Sequence, residues 1–331
     1  MIPNSYSPIF QSHFSGKLQA FLANKRSVGY RYESESRMLV RIDKYLLENG
    51  RTVIDDETVL GWATKREGES EKTHSIRVSL FKQFCIFLNR GEVVAAMPQR
   101  PKNPGFSKSF TPYIFTQGQI RTILKNADTM PKSKTNPEAN IRKVMPAMLR
   151  LLYCCGLRVS EATSLRIRHV DLDEGSIMVM HSKNDCCRVV PMSESLKSVI
   201  GAYIDEMHVA PMDDDFVFPT KKGEQYCTGV IYVNFRELLW RSGIPHGGRG
   251  KGPRLHDIRH TFAVHSLQKS IFEGRDTYLL LPILSTYLGH KNIYATEKYL
   301  RLTSEMYPDI LNKVESALGK LVPEVVDYET S

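Results

Sequence analysis

Three short stretches in the second half of the chain concentrate side chains able to do chemistry. CGLRVSEATSL (155–165) carries Arg158 with Glu161 three residues on. LHDIRH (255–260) carries His256, Arg259 and His260, and LGHKNIYATEKYL (288–300) carries His290, Tyr294 and Tyr299. A fourth group, Lys183, sits in the polar turn SKND between two apolar runs. Two guanidiniums, permanently charged and planar, can each grip two oxygens of an anion. A phenol can act as a nucleophile, but its pKa near 10 leaves only about one in a thousand ionised at pH 7, so it needs cations and a proton acceptor close by. His256 and His260 at i,i+4 also match the histidine spacing of a zinc-binding helix, although Asp257 is shorter than the usual Glu and no third ligand is obvious downstream. Each feature also has a plain structural reading. Arg158 and Glu161 suit an ordinary helix pair, Lys183 a surface turn, His290 a helix end, and the tyrosines packing.

In their order along the chain these pieces resemble the catalytic segments of the tyrosine recombinase family, the phage-integrase-type recombinases. In that family the first arginine stands in a GLR-x-SE context, here Arg158 with Glu161; a lysine lies on a β-hairpin turn, here Lys183; an HxxR helix matches His256 and Arg259; and LGH precedes the nucleophile by nine residues, which selects Tyr299 from His290. The resemblance runs from 113 to near 320, about two thirds of the chain, and among its members it is closer to recombinases of transposons and integrative elements. It implies that Arg158 and Arg259 clamp a DNA phosphodiester and that His256 assists proton movement near Tyr299. It further implies that Lys183 protonates the departing 5′ oxygen, that His290 hydrogen-bonds the phosphate, and that Glu161 orients the cationic site. His260 is read as packing or as a supporting partner, and Tyr294 as a packing residue.

The implied product is a 3′-phosphotyrosyl bond with a free 5′-hydroxyl. The covalent link keeps the ester energy, so a second DNA end can reseal the backbone with no ATP, cofactor or metal ion. GGRGKGPR (247–254) does not form a phosphate-binding loop, because Pro245 stands where its first glycine belongs and Gly252 follows Lys251. The alternative role is chromosome or plasmid dimer resolution by the same chemistry; two further readings are a zinc hydrolase using HDIRH and a DNA-binding regulator without catalysis, against which the complete catalytic set argues.

The elements that must position these residues are mainly helical. PQRPKNPGFSKSFTP (98–112), with four prolines, reads as an exposed linker. It separates a helical, SAM-like core-binding domain near 10–97 from a catalytic domain near 113–331. In the first domain four apolar stripes predict a small bundle: Leu18–Leu22, Met38–Leu46 ended by Gly50, a helix capped by Asp55 and running through Trp62, and Ile76–Leu88 stopped by Gly91. In the second, Thr116 and Gln119 predict a capping box, a helix near 138–155 halts at Gly156, and SIMVMH and CCRVVPM predict a hairpin. Helices follow near 193–209, 229–242, through HDIRHTFAVHSL, and over 276–288, 292–300 and 304–318. The predicted class is mainly α with a small antiparallel sheet, the DNA breaking-rejoining fold. With its first helix near residue 13, the chain is expected to lack the arm-binding domain of some phage integrases.

Composition agrees with a polyanion partner. The 331-residue chain has a net charge of +9, and residues 1–112 hold 17 Lys and Arg against 11 Asp and Glu. The expected partner is double-stranded DNA with inverted-repeat sites, held mostly through phosphates and weakened steeply by salt. The resemblance implies a homotetramer on two duplexes passing through a Holliday junction, with room for accessory proteins. Met306, Ile310, Val314 and Leu318 form a helical stripe expected to dock on a neighbouring protomer. The run YLLLPILSTYL (278–288) is too short for a bilayer and no signal peptide is visible, so a cytoplasmic, nucleoid-associated protein is expected. The adjacent pairs Cys154-Cys155 and Cys186-Cys187 lack metal-ligand spacing and read as reduced, buried small hydrophobes.

Overall fold

The computed structural model describes residues 7–30, 32–91, 93–99, 111–131, 140–180, 187–248 and 252–290, together with 296, 299, 302 and 303. The chain divides into two compact units, Met1–Phe110 and Thr111–Ser331.

The first unit is built from α1 (Ser15–Ser27), α2 (Glu33–Glu48), α3 (Asp56–Ala63) and α4 (Glu71–Asn89). Each apolar stripe supplies one wall of a shared core in which Leu18, Phe21, Leu39, Ile42, Trp62 and Phe84 are almost fully buried. Asp55 caps α3 by accepting a hydrogen bond from the Thr58 amide, and Ser70 caps α4 through the Thr73 amide. One position departs from the apolar pattern. Ile76 is exposed, and the next residue, Arg77, is 1% exposed. Its Nε and Nη2 donate to Glu69 at 2.9 and 2.8 Å, Nη2 also reaches the Thr64 carbonyl at 3.0 Å, and Nη1 donates to the Trp62 carbonyl. A buried guanidinium is tolerated there because protein acceptors replace its water.

The second unit is mainly helical: α5 (Gln117–Asp128), α6 (Ile141–Cys155), α7 (Val159–Thr163), α8 (Glu194–Met207), α9 (Thr228–Arg241), α10 (Asp257–Phe272) and α11 (Thr277–Leu288). Its sheet has strand order β1-β2-β3, with β1 (Val170–Asp171), β2 (Ser176–Val179) and β3 (Arg188–Pro191) all antiparallel. The expected hairpin is β2–β3, whose connecting residues 181–186 lie outside the described residues. The sequence reading omitted β1, which at two residues is too short to carry an alternation. Thr116 and Gln119 form both halves of the capping box. Gly156 ends α6 at φ +58°, and a Cβ on it would collide with the Phe262 ring, so the turn into α7 requires glycine.

The main core gathers α5, α6, α8, α9 and the inner face of the sheet. A separate cluster of Ala263, Val264, Leu284, Leu288, Tyr299 and Leu302 joins α10 to α11 and to the chain beyond it. The expected helices over 292–300 and 304–318, and with them Tyr294 and the stripe from Met306 to Leu318, fall almost wholly outside the described residues. Of the paired cysteines, Cys155 is buried as expected, whereas Cys154 and Cys187 are exposed; Cys85 is buried as well. Cys155 continues the buried face of α6 that Met148, Leu151 and Leu152 form, and Cys154 falls off that face. Among the described residues no helix is long and apolar enough to cross a membrane.

Candidate active site

The site is organised around one buried carboxylate. Glu161 lies on the short helix α7, and its residue exposure is 7%. The Arg158 amide donates to it at 2.9 Å, which closes the start of that helix, and Arg158 Nη1 donates at 2.6 Å. From the sheet, Arg188 makes a two-pronged contact, Nη1 at 3.1 Å and Nη2 at 2.8 Å. From α10, Arg259 Nη1 stands 3.8 Å away. Burial alone would raise the Glu161 carboxyl, but hydrogen bonds from Arg188 and the Arg158 amide, with the two charges, hold it down at about 2. Three guanidiniums therefore converge on one carboxylate, and positive charge is left in excess.

The arginines are further fixed by backbone carbonyls at helix ends. Arg259 Nη1 donates to the Gly156 carbonyl at 2.8 Å and Nη2 to the Leu288 carbonyl. Arg158 Nη2 reaches the Gly289 carbonyl at 3.4 Å, and Arg188 Nε the Tyr287 carbonyl at 2.8 Å. The orphan carbonyls closing α6 and α11 thus become acceptors for the cationic cluster. Gly289, at φ +64°, forms the turn in which these contacts meet, and a Cβ there would press on Arg188 Nη1 at 3.3 Å. Burial, together with the Arg158 charge, pulls the Arg259 guanidinium down to about 10, still charged at neutral pH.

The phenol lies beside this cluster. Tyr299 is 1% exposed, packed in the α10–α11 cluster. Its hydroxyl is hydrogen-bonded to Nδ1 of His260 at 2.8 Å. His290 stacks on the phenol with centroids 6.2 Å apart and planes 23° apart, while its Nδ1 meets Thr296 Oγ1 at 2.8 Å. Burial pushes the Tyr299 hydroxyl up to about 12, although the charges of Arg259 and then Arg158 act in the opposite direction. His256 occupies the N-cap of α10, exposed, with its ring edge-on to His260 at 4.9 Å. Asp257 is fully buried and takes hydrogen bonds from the Arg254 amide at 2.8 Å and Nη2 at 3.0 Å. In HDIRH, then, Asp257 turns to Arg254 and His260 to Tyr299.

Of the residues singled out in the sequence, Arg158, Glu161, Arg259, His260, His290 and Tyr299 come together. His256 stands at the rim, and Lys183 lies outside the described residues. Sequence reasoning missed Arg188. Strand alternation carried a signal for it, because Arg188 shares a face with Val190, which is 0% exposed, while Val189 between them is 60% exposed. Thr296 was also missed, and its spacing from His290 has no comparable signature.

A mainly helical unit with a small antiparallel sheet and a cationic pocket beside a tyrosine defines a DNA breaking-rejoining fold, and solved structures share it. The Tn1549 transposon integrase in complex with transposon right end DNA is similar with a TM-score of 0.60 at 17% identity, covering 86% of this chain and 94% of that one. The XerH site-specific recombinase bound to its palindromic difH substrate gives a TM-score of 0.60 at 17% identity, over 85% of this chain and 76% of that one. The model of the phage integrase family matches residues 114–306. The chain belongs to that family, the tyrosine recombinases, enzymes of site-specific DNA recombination. Among curated relatives, a Sinorhizobium fredii protein, y4rB, provisionally described as an integrase/recombinase, is 28% identical over 92% of this chain and 98% of its own length. The tyrosine recombinase XerD of Neisseria meningitidis is 29% identical over 83% of this chain and 87% of its own.

Proposed function

We propose that this recombinase cleaves and rejoins duplex DNA through a 3′-phosphotyrosyl intermediate on Tyr299, and that it serves the integration, excision or transposition of a mobile element. The observation that carries the chemistry is the meeting of Arg158 and Arg259 at Glu161, with the Tyr299 hydroxyl within the field of both arginines. An excess of fixed positive charge in a partly dry pocket is suited to a phosphodiester whose transition state gathers charge on its oxygens. In this reading Arg158 and Arg259 hold the phosphate, His290 hydrogen-bonds it, His256 assists proton movement, Lys183 protonates the 5′ oxygen, and Glu161 orients the arginines. Residues 10–97 act as the core-binding domain, 98–112 as a linker and 113–331 as the catalytic domain. The assembly is a homotetramer on two duplexes that carry inverted repeats.

The mobile-element role draws on the long stretch FEGRDTYLLLPILSTYLGH between the HxxR helix and His290, and the Tn1549 integrase has such a role in its name. A second reading, resolution of chromosome or plasmid dimers by the same chemistry, is favoured by the likeness to XerD. DNA-pulldown sequencing separates them: repeats at the two ends of an element support the first, and a single chromosomal or plasmid site the second. A nicked duplex built from the recovered repeat then tests the chemistry. The wild type should form a covalent adduct, Tyr299→Phe should form none, and Tyr294→Phe should retain it. An adduct that survives Tyr299→Phe overturns the assignment.

A further inference from the structure

The imidazole in contact with the phenol is that of His260, one helical turn after His256. We propose that His260 is a catalytic residue, the proton acceptor that ionises Tyr299, with the exposed His256 at the solvent end of the same pair. This inference rests on the recombinase reading above. It stands on three observations: the 2.8 Å contact of Nδ1 with the hydroxyl, the burial of both partners (5% and 1% exposed), and the edge-on packing of His256 against His260 at 4.9 Å.

The proposed step requires one tautomer. The phenol donates to Nδ1 when the neutral imidazole carries its proton on Nε2. In the step, the Tyr299 O–H bond breaks and its proton moves to Nδ1, leaving an imidazolium. The freed electron pair forms the O–P bond to the DNA phosphate. The P–O5′ bond breaks with its pair on the 5′ oxygen, which is protonated by the general acid assigned above to Lys183. Rejoining reverses each transfer, so the imidazolium is the acid that restores the phenol. The charged and titratable groups around the pair are His256 on the same helix, Arg259 and Arg158 at the cluster, and His290 stacked across the ring. Both arginines favour the phenolate, so the acceptor need only move the proton. Until DNA arrives, a phenol with 1% exposure held on His260 stays protonated and shielded.

A structural role for His260 makes a different prediction from a chemical one. Asparagine places an amide oxygen near the position of Nδ1, so His260→Asn can keep the hydrogen bond but cannot take up the proton. On the nicked duplex, single-turnover adduct formation by the full-length wild type should rise with pH as the His260 imidazole gives up its proton. His260→Asn should bind the duplex with wild-type affinity, form the adduct about 10²-fold more slowly or worse, and lose that pH limb. His260→Ala should regain rate with added imidazole. A His260→Asn rate within about threefold of wild type with the limb intact overturns the proposal and leaves the recombinase reading standing. The same holds if His256→Gln alone removes the limb. If the wild type forms no adduct on DNA that it binds, both readings fall.

Discussion

Each unit of the molecule contains a buried glutamate held by arginine, and the two differ in their charge balance. In the first unit Glu69 faces one guanidinium, Arg77, whose N–H groups are directed at Glu69 and at the Trp62 and Thr64 carbonyls. The group also lies over the Trp62 ring at 5.2 Å. One charge meets one charge, and side-chain exposures of 2% and 8% leave no route for a solvent anion. In the second unit Glu161 faces Arg158, Arg188 and Arg259, and Arg158 keeps 20% of its side chain exposed. The first arrangement is a fastener that ties α4 to the segment following α3. The second holds like charges together, which costs energy without an anion and becomes favourable when one binds. Charge excess at a partly open carboxylate, more than burial of an ion pair, distinguishes a receptor from a strut.

That contrast can be broken by experiment. The largest effect is expected at the fastener. Arg77→Ala leaves Glu69 buried without its partner and should cost about 3–5 kcal/mol of stability in urea unfolding. A loss below about 1 kcal/mol, the value of an exposed pair, would remove the distinction. Arg158→Ala should do the reverse: stability is largely kept because Arg188 still holds Glu161, while adduct formation on the nicked duplex falls about 10²–10³-fold. A variant that unfolds and retains its per-molecule rate would contradict it. Arg188→Lys is milder. A lysine cannot reproduce the two-pronged contact with Glu161, and about a tenfold slower cleavage with unchanged DNA affinity is expected. Equal rates would make Arg188 a passive part of the sheet.

The smallest effect is a pH dependence. Both carboxyls are lowered from an ordinary 4.5 to about 2, Glu69 by the Arg77 hydrogen bond and Glu161 by Arg188 and Arg158 against the opposing effect of burial. Between those values the unfolded chain binds more protons than the folded one, so stability rises with pH. The contribution is complete above about 4.5 and is lost as pH falls through about 2. Glu69→Gln should therefore flatten stability against pH over that window, measured by thermal unfolding. An unchanged slope would place the acid sensitivity elsewhere.

Much of this was readable before any coordinates. The four helices of the first unit follow from apolar spacing, from the capping residue Asp55 and from the stops at Gly50 and Gly91, because those signals act within one or two turns. Gly156 and the Thr116–Gln119 box are local in the same sense. Ile76 and Arg77 mark where local reading stops. Their types suggest the opposite burial, and only the Trp62, Thr64 and Glu69 acceptors gathered by the fold make a buried arginine tolerable at 77. Arg188 is a similar case, with its face legible from strand parity and its partner not.

The sequence by itself determined the residue types and their order: two arginines, the histidines, and a tyrosine nine residues beyond His290. Those depend on motif spacing along the chain. Tertiary structure alone decided which groups meet. Arg188 reaches Glu161 across 27 residues, Arg259 reaches the Gly156 carbonyl across 103, and His260 takes the hydroxyl of Tyr299 across 39. Hydrogen bonds and charge act over a few ångströms, and no periodicity along the chain encodes which distant segments the core will bring that close.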